Sequence, residues 1–310
     1  MMDAAELLST LRARDVRLWI EDTQLKCSAP VGALDATLRQ ALASRKPEII
    51  QFLRQAETLK GGPASIVPLK SAGRRSPIFA VSGHGGDVFY FRPLARYLHP
   101  DQPVVGVQPP GLDGTQPLTS IEELARYQVT QIRQYQHAGP YLIAGHCSGG
   151  ALAFEVAQQL LAGGEKVALL ALIGAPFPIM FSKASLLRVR LASYSDALTP
   201  AGFIRRLQLR RERHKAQQLV DLKARAARHR VEKATVAAVR DYKPKAYVSE
   251  LDLFVTADRW HRAHLWRPYA PKLREHIVPG LVDDLMLGPK VEVLAAAIQA
   301  RLDQLQSAAP

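Results

Sequence analysis

Cysteine is scarce in this chain, with only Cys27 and Cys147 among 310 residues. Two cysteines cannot staple a small secreted scaffold, so the fold must rest on an apolar core, and a cytoplasmic location is expected. Long apolar runs are absent too. No stretch approaches the roughly 18 residues that span a bilayer, and no membrane partner is expected. The opening, MMDAAELLSTLRARD, is amphipathic without the apolar centre of a signal peptide. There is also no internal repeat, no low-complexity tract, no dinucleotide fingerprint and no metal-ligand spacing, so no metal and no cofactor of the protein's own are expected.

What is present is the balance of a globular chain, 47% apolar and 22% charged. At about 150 residues per domain, the length suggests two units or one large domain with an attachment. The net charge of +13 is unevenly spread. Residues 181–248 hold 17 basic and 5 acidic residues, whereas residues 1–60 hold 9 and 8. Nucleic acid is the first partner such a surplus suggests, but the basic stretch has neither the aromatic interleaving nor any motif of a nucleic-acid surface. An acidic protein or a phosphate group fits better, and a solvated helical face fits as well.

Residues 1–56 read as a small α+β module. Leu7, Leu8 and Leu11 mark a helix face, Val16–Ile20 alternates as a strand, and Glu21-Asp22-Thr23 turns into a second strand carrying Cys27. Helices follow over Leu34–Ala43 and from Pro47 through Leu53. Cys27 is read as structural. An exposed hairpin edge suits partner binding. Residues 57–75, with Gly61, Gly62, Pro63, Pro68 and Gly73, read as a linker.

From residue 76 to 310, apolar strands alternate with amphipathic helices. Strands are expected at Ile78–Val81, Val104–Val107, Tyr141–Ala144, Val167–Ile173, Leu251–Val255 and His276–Val278. Helices are expected through Leu98 and over Ile121–His137, Ala151–Ala162, 182–240 and Val291–Leu305. Such alternation predicts an α/β fold with a mostly parallel sheet and helices on both faces.

The strand ending at Ala144 runs into Gly145-His146-Cys147-Ser148-Gly149, the spacing of a strand–turn–helix nucleophile elbow. Small flanking residues allow a strained turn, and the following helix N-terminus favours a thiolate on Cys147. Ser148 is the competing nucleophile, one position off the apex. After the first strand, Ser82-Gly83-His84-Gly85-Gly86 lies where an oxyanion loop belongs. Backbone N–H groups near Gly83 and His84, with that of Ser148, are candidates to hold a tetrahedral oxyanion.

Two resemblances follow from these segments. LLSTLRARDVRLWIEDTQLKCSAPVGALDATLRQALASRKPEIIQFLR resembles the tubulysin-type N-terminal docking domain of nonribosomal peptide and polyketide assembly lines. The resemblance implies that residues 1–56 recognise the C-terminal tail of an upstream synthetase subunit. Residues 66–305 resemble the type I thioesterase domains of nonribosomal peptide synthetases, through IFAVSGHGGDVFYFRPLARYL, VVGVQPPGLDG, YLIAGHCSGGALAFEVAQQL, VRDYKPKAYVSELDLFV and IVPGLVDDLMLGPKVEVLAAAI. This implies an α/β-hydrolase fold, makes 182–240 the helical lid, and implies a substrate carried on the phosphopantetheine of an acidic carrier protein.

The family's catalytic pattern breaks at three positions. Its serine is Cys147, its post-elbow acid falls on Gly174, and its histidine falls on Val282. Candidate replacements are Asp258 as acid, with His261 and His264 on the same loop, His276 on the strand before, and His84. His146 should point away from the apex, and Asp283 and Asp284 read as loop carboxylates. A cysteine elbow without its histidine suits acyl transfer between thiols better than hydrolysis, which needs a general base worth ~10²–10⁴-fold. The expectation is an acyl or aminoacyl transferase acting through a Cys147 acyl-enzyme. The alternatives are a releasing, cyclising or editing thioesterase with a relocated base, and a non-catalytic carrier-binding scaffold.

Overall fold

The computed structural model describes residues 7, 11, 16–21, 24–29, 34–50, 65–178, 222–256, 263–279, 285–286 and 288–307. The chain divides into two compact units, one holding Met1–Ala64 and the other holding Ser65–Arg206 and Leu222–Pro310.

In the first unit, β1 (Arg17–Glu21) pairs antiparallel with β2 (Gln24–Ser28) through a two-residue connection. Helix α1 (Ala36–Ser44) starts where the Asp35 carboxylate accepts from the Leu38 N–H at 2.8 Å, satisfying a donor that has no partner within the helix. Leu7, Leu11, Val16, Leu38 and Ile49 form the core. The expected helix around Leu7 and Leu11 otherwise lies outside the described residues. Cys27, expected to be structural, is exposed on β2.

The second unit is built on a seven-stranded sheet. Its strands are β3 (Ile66–Lys70), β4 (Ile78–Val81), β5 (Val104–Val107), β6 (Tyr141–His146), β7 (Val167–Ile173), β8 (Leu251–Thr256) and β9 (Leu273–Val278). The order is β3-β5-β4-β6-β7-β8-β9, with β3 antiparallel and the rest parallel. The linker expected over 57–75 is therefore corrected. Its segment Ile66–Lys70 is an edge strand on β5, with a register shift between Pro68 and Lys70. Proline lacks the N–H a central strand must donate, and an edge strand accommodates it.

Side chains alternate across the sheet. Tyr141 and Ile143 of β6 join one core, whereas Leu142 and Ala144 join the other. The first core is covered by α3 (Ile121–Tyr135), α4 (Gly149–Ala162) and α5 (Leu222–Asp241), and the second by α2 (Arg92–Tyr97) and α6 (Gly288–Ser307). Ser120 caps the N-terminus of helix α3, its hydroxyl accepting from the Glu123 N–H at 3.2 Å. Of the helical stretch expected over 182–240, residues 182–221 lie outside the described residues and the remainder is α5. No helix among the described residues is long and apolar enough to cross a membrane.

Candidate active site

The elbow forms where β6 ends and α4 begins. Cys147 is a non-glycine residue in the left-handed region, with φ of 51°, and it is partly exposed. Its N–H donates to the Ile173 carbonyl at 3.1 Å, and its carbonyl accepts from Gly150 at 3.0 Å. These bonds hold the strained turn at the crest of the sheet. Gly149 is required on the inner side, because a Cβ there would lie 2.5 Å from the Ser82 carbonyl oxygen. The loop after β4 thus lies directly against the N-terminus of α4.

That loop turns through Gly83–Gly86, where the Gly86 N–H donates to the Gly83 carbonyl at 3.1 Å. Gly83 faces the elbow, and a Cβ on it would stand 3.7 Å from Ser148 Oγ. Ser148 is fully buried, and its Oγ lies 3.2 Å from His84 Nδ1. The other ring nitrogen, His84 Nε2, lies 3.5 Å from Glu232 Oε1 of α5. Arg228 of the same helix faces Asp87 of the loop at 3.6 Å. A serine, a histidine and a glutamate are therefore linked in succession from the residue after Cys147 to α5.

Helix α5 presents those residues because its buried stripe, Ala227, Val231, Thr235 and Ala238, fixes its rotation on the domain. Its C-terminal end is fastened at Tyr242, whose hydroxyl donates to Glu155 Oε2 at 2.7 Å. Burial, then the Glu155 carboxylate, hold the Tyr242 phenol well above its ordinary range.

The remaining candidates are placed as follows. Gly174, at the position of the family's acid, offers only backbone, and its N–H donates to the Phe254 carbonyl at 2.8 Å. Its φ of 50° is one that glycine adopts without cost. Asp258 and His261 lie outside the described residues, as do Val282, Asp283 and Asp284. His264 is exposed in the 3-10 turn Ala263–Leu265. His276 is excluded from the elbow by register. His146, Ile173, Phe254 and His276 stand level on β6, β7, β8 and β9, so His276 is three strand spacings, about 14 Å, away. Its ring stacks on Phe254 with centroids 4.4 Å apart. His146 packs edge-on against Tyr90 at 4.7 Å.

Glu232 is the residue that sequence reasoning missed. It is the single acidic residue within α5 before its last position, between Arg230 and Lys233, and that break in a basic run was the available signal.

Comparison with known proteins completes the picture. The family model described as Thioesterase domain matches residues 76–301, and the TubC N-terminal docking domain matches residues 5–55. Malpibaldin synthetase of Mortierella alpina is 40% identical over 128 residues, which cover 41% of this chain and 2% of the synthetase. Inactive atromentin synthetase invA6 of Paxillus involutus is 28% identical over 252 residues, covering 71% of this chain and 26% of that protein. The chain thus spans only a small part of the length of these synthetases. Among solved structures, a holo four-domain nonribosomal peptide synthetase bound to AMP and glycine aligns with TM-score 0.64 and 24% identity, over 84% of this chain and 22% of that one. The NocB thioesterase domain in covalent complex with a fluorophosphonate nocardicin G analogue aligns with TM-score 0.58 and 23% identity, over 76% of this chain and 99% of that one. At these identities the two structures establish the α/β-hydrolase fold. With the family model spanning most of the chain on that fold, the protein belongs to the thioesterase domain family and carries a TubC-type docking domain ahead of it.

Proposed function

We propose that this protein moves acyl or aminoacyl groups held as carrier-protein thioesters on a nonribosomal peptide or polyketide assembly line. The observation that carries the reading is a cysteine at the apex of the elbow, with a backbone-only Gly174 where the family's acid belongs. The Cys147 thiolate attacks the thioester carbon of an acyl group on a carrier's phosphopantetheine arm. The carbon–sulfur bond to the arm breaks, the arm leaves as a thiolate that takes a proton, and the acyl group rests on Cys147. A second carrier thiol, or another nucleophile that releases the product, then takes it.

Physical chemistry favours transfer here. Exchange of an acyl group between thiols is nearly isoenergetic, and a helix N-terminus favours the thiolate it needs. The N–H groups of Ser148 and of the Gly83–His84 turn would hold the developing oxyanion. Carrier proteins are typically acidic and suit the exposed bases of α5, among them Arg225, Arg230 and Lys233. The docking domain would bind the tail of an upstream subunit and raise the local concentration of its carrier.

Intact-protein mass spectrometry with a panel of acyl- and aminoacyl-loaded carrier proteins tests the reading. An adduct on Cys147 that moves to an empty carrier is the expected result. Absence of an adduct with every loaded carrier, or acyl movement that persists in Cys147→Ala, overturns it. A second reading, release or editing, is favoured by the His84 ring beside the elbow. Free acid or a ring as the dominant product would establish it.

A further inference from the structure

The family's histidine position is Val282 and its acid position is Gly174, yet a histidine and a carboxylate do meet at this elbow from other elements. We propose that His84 is the general base for discharge of the Cys147 acyl-enzyme, and that Glu232, reaching in from α5, is its positioning residue. The inference rests on the acyl-enzyme reading above.

The geometry assigns the ring's two nitrogens different tasks. With Nε2–H directed at Glu232, the lone pair lies on Nδ1, the nitrogen 3.2 Å from Ser148 Oγ and so turned towards the elbow. The ring is 44% exposed on its side chain, open enough to meet an incoming nucleophile, and the hydroxyl hydrogen of the buried Ser148 can rotate away from Nδ1 to leave its lone pair to the incoming proton. The ring meets Glu232 of α5 at Nε2 and Ser148 of the elbow at Nδ1, while Arg228 of the same helix pairs with Asp87 of the His84 loop. Arg228 is paired with Asp87, which leaves the Glu232 carboxylate, 3.5 Å from Nε2, to stabilise the imidazolium as it forms.

The step balances as follows. An acceptor thiol attacks the acyl carbon on Cys147 and gives its proton to His84 Nδ1. The tetrahedral intermediate collapses, the carbon–sulfur bond to Cys147 breaks, and Cys147 leaves as a thiolate. The proton on His84 then returns to that sulfur. Nothing is oxidised or reduced, and no further reactant is needed.

The test separates loading from discharge. Cys147 of the full chain is acetylated with p-nitrophenyl acetate, and transfer to free pantetheine is followed by intact mass. His84→Ala should discharge about 100-fold more slowly than wild type once each is corrected for its own loading rate, with partial recovery on added imidazole. Glu232→Gln should lower the discharge rate constant roughly three- to tenfold without changing the pantetheine KM. In the His84→Ala background the same change should cost nothing further, because it acts only through the ring. Wild-type discharge by His84→Ala, or an additive effect of Glu232→Gln in that background, overturns the base assignment and leaves the acyl-enzyme intact. Failure of Cys147 to acetylate overturns both.

Discussion

Asp252 is buried to 1% exposure, and Arg301 of α6 donates Nε–H to its Oδ2 at 3.0 Å. The other oxygen, Oδ1, lies 2.7 Å from His276 Nε2, and Arg301 also pairs with Glu250. This network ties α6 to β8 and β9 on the sheet face that α6 covers. Removing Arg301 leaves the buried carboxylate without its nearer guanidinium, with Arg274 at 3.8 Å and His276 still beside it. Arg301→Met should therefore lower the unfolding free energy by about 3 kcal/mol, read by urea denaturation. Because the network lies strands away from the elbow, acetylation of Cys147 in the folded variant should keep its wild-type rate.

Cys147→Ser tests the role of the thiolate. A serine hydroxyl needs a base to attack, whereas a thiol near a helix N-terminus attacks as its anion. Loading from an acyl carrier should fall at least about 100-fold in Cys147→Ser. Loading within a few-fold of wild type would mean that a base serves the first half-reaction as well as the second.

Gly149→Ala probes the contact between loop and elbow. The added methyl meets the Ser82 carbonyl at 2.5 Å, so the loop through Gly83 and His84 must back away. If the Ser148 and Gly83–His84 N–H groups hold the oxyanion as proposed, their misalignment should cost about 100-fold in loading rate, with about 1–3 kcal/mol of stability, measured by stopped-flow burst and thermal unfolding.

Gly174→Asp restores a carboxylate at the family's acid position but must adopt a φ of 50°. A stability loss of about 1 kcal/mol is expected, since aspartate tolerates that region better than most residues. With Val282 retained, free-acid formation should not rise, as product analysis of acyl-loaded carriers would show.

The buried phenols set a limit in alkali. Tyr242 and Tyr247 are both held above the ordinary tyrosine range, chiefly by burial. The unfolded chain loses these protons near pH 10 while the folded one keeps them, so stability is complete below that pH and falls above it. The fall should approach about 1.4 kcal/mol per pH unit for each phenol, and Tyr242→Phe should remove about 1 kcal/mol of it between pH 10 and 11. The same variant takes a donor from Glu155, which should cost about 1–3 kcal/mol at neutral pH.

Much of the fold was legible in the chain because the buried strands read as short apolar runs, such as Ile78–Val81 and Val104–Val107, separated by helical periods. The elbow was legible because its glycines, its apex residue and its flanking elements are contiguous. Strand β3 escaped because Pro68 and the glycines around it carry turn signals, and only pairing with Val104–Val107 makes the segment a strand. The His84–Glu232 pair escaped for another reason. Its members are far apart in sequence, and nothing local to either residue tells that α5 crosses the loop after β4. Composition could flag Glu232 as odd but could not say what it faces.

The outer strand of the catalytic unit also shapes how copies of this protein behave together. At Pro68, β3 has no amide hydrogen to offer, and its register shifts before Lys70. A neighbouring chain seeking to add itself to this margin meets an interrupted row of donors on a twisted ribbon. That interruption should disfavour edge-to-edge strand addition at this side of the sheet, a safeguard built from one imino acid.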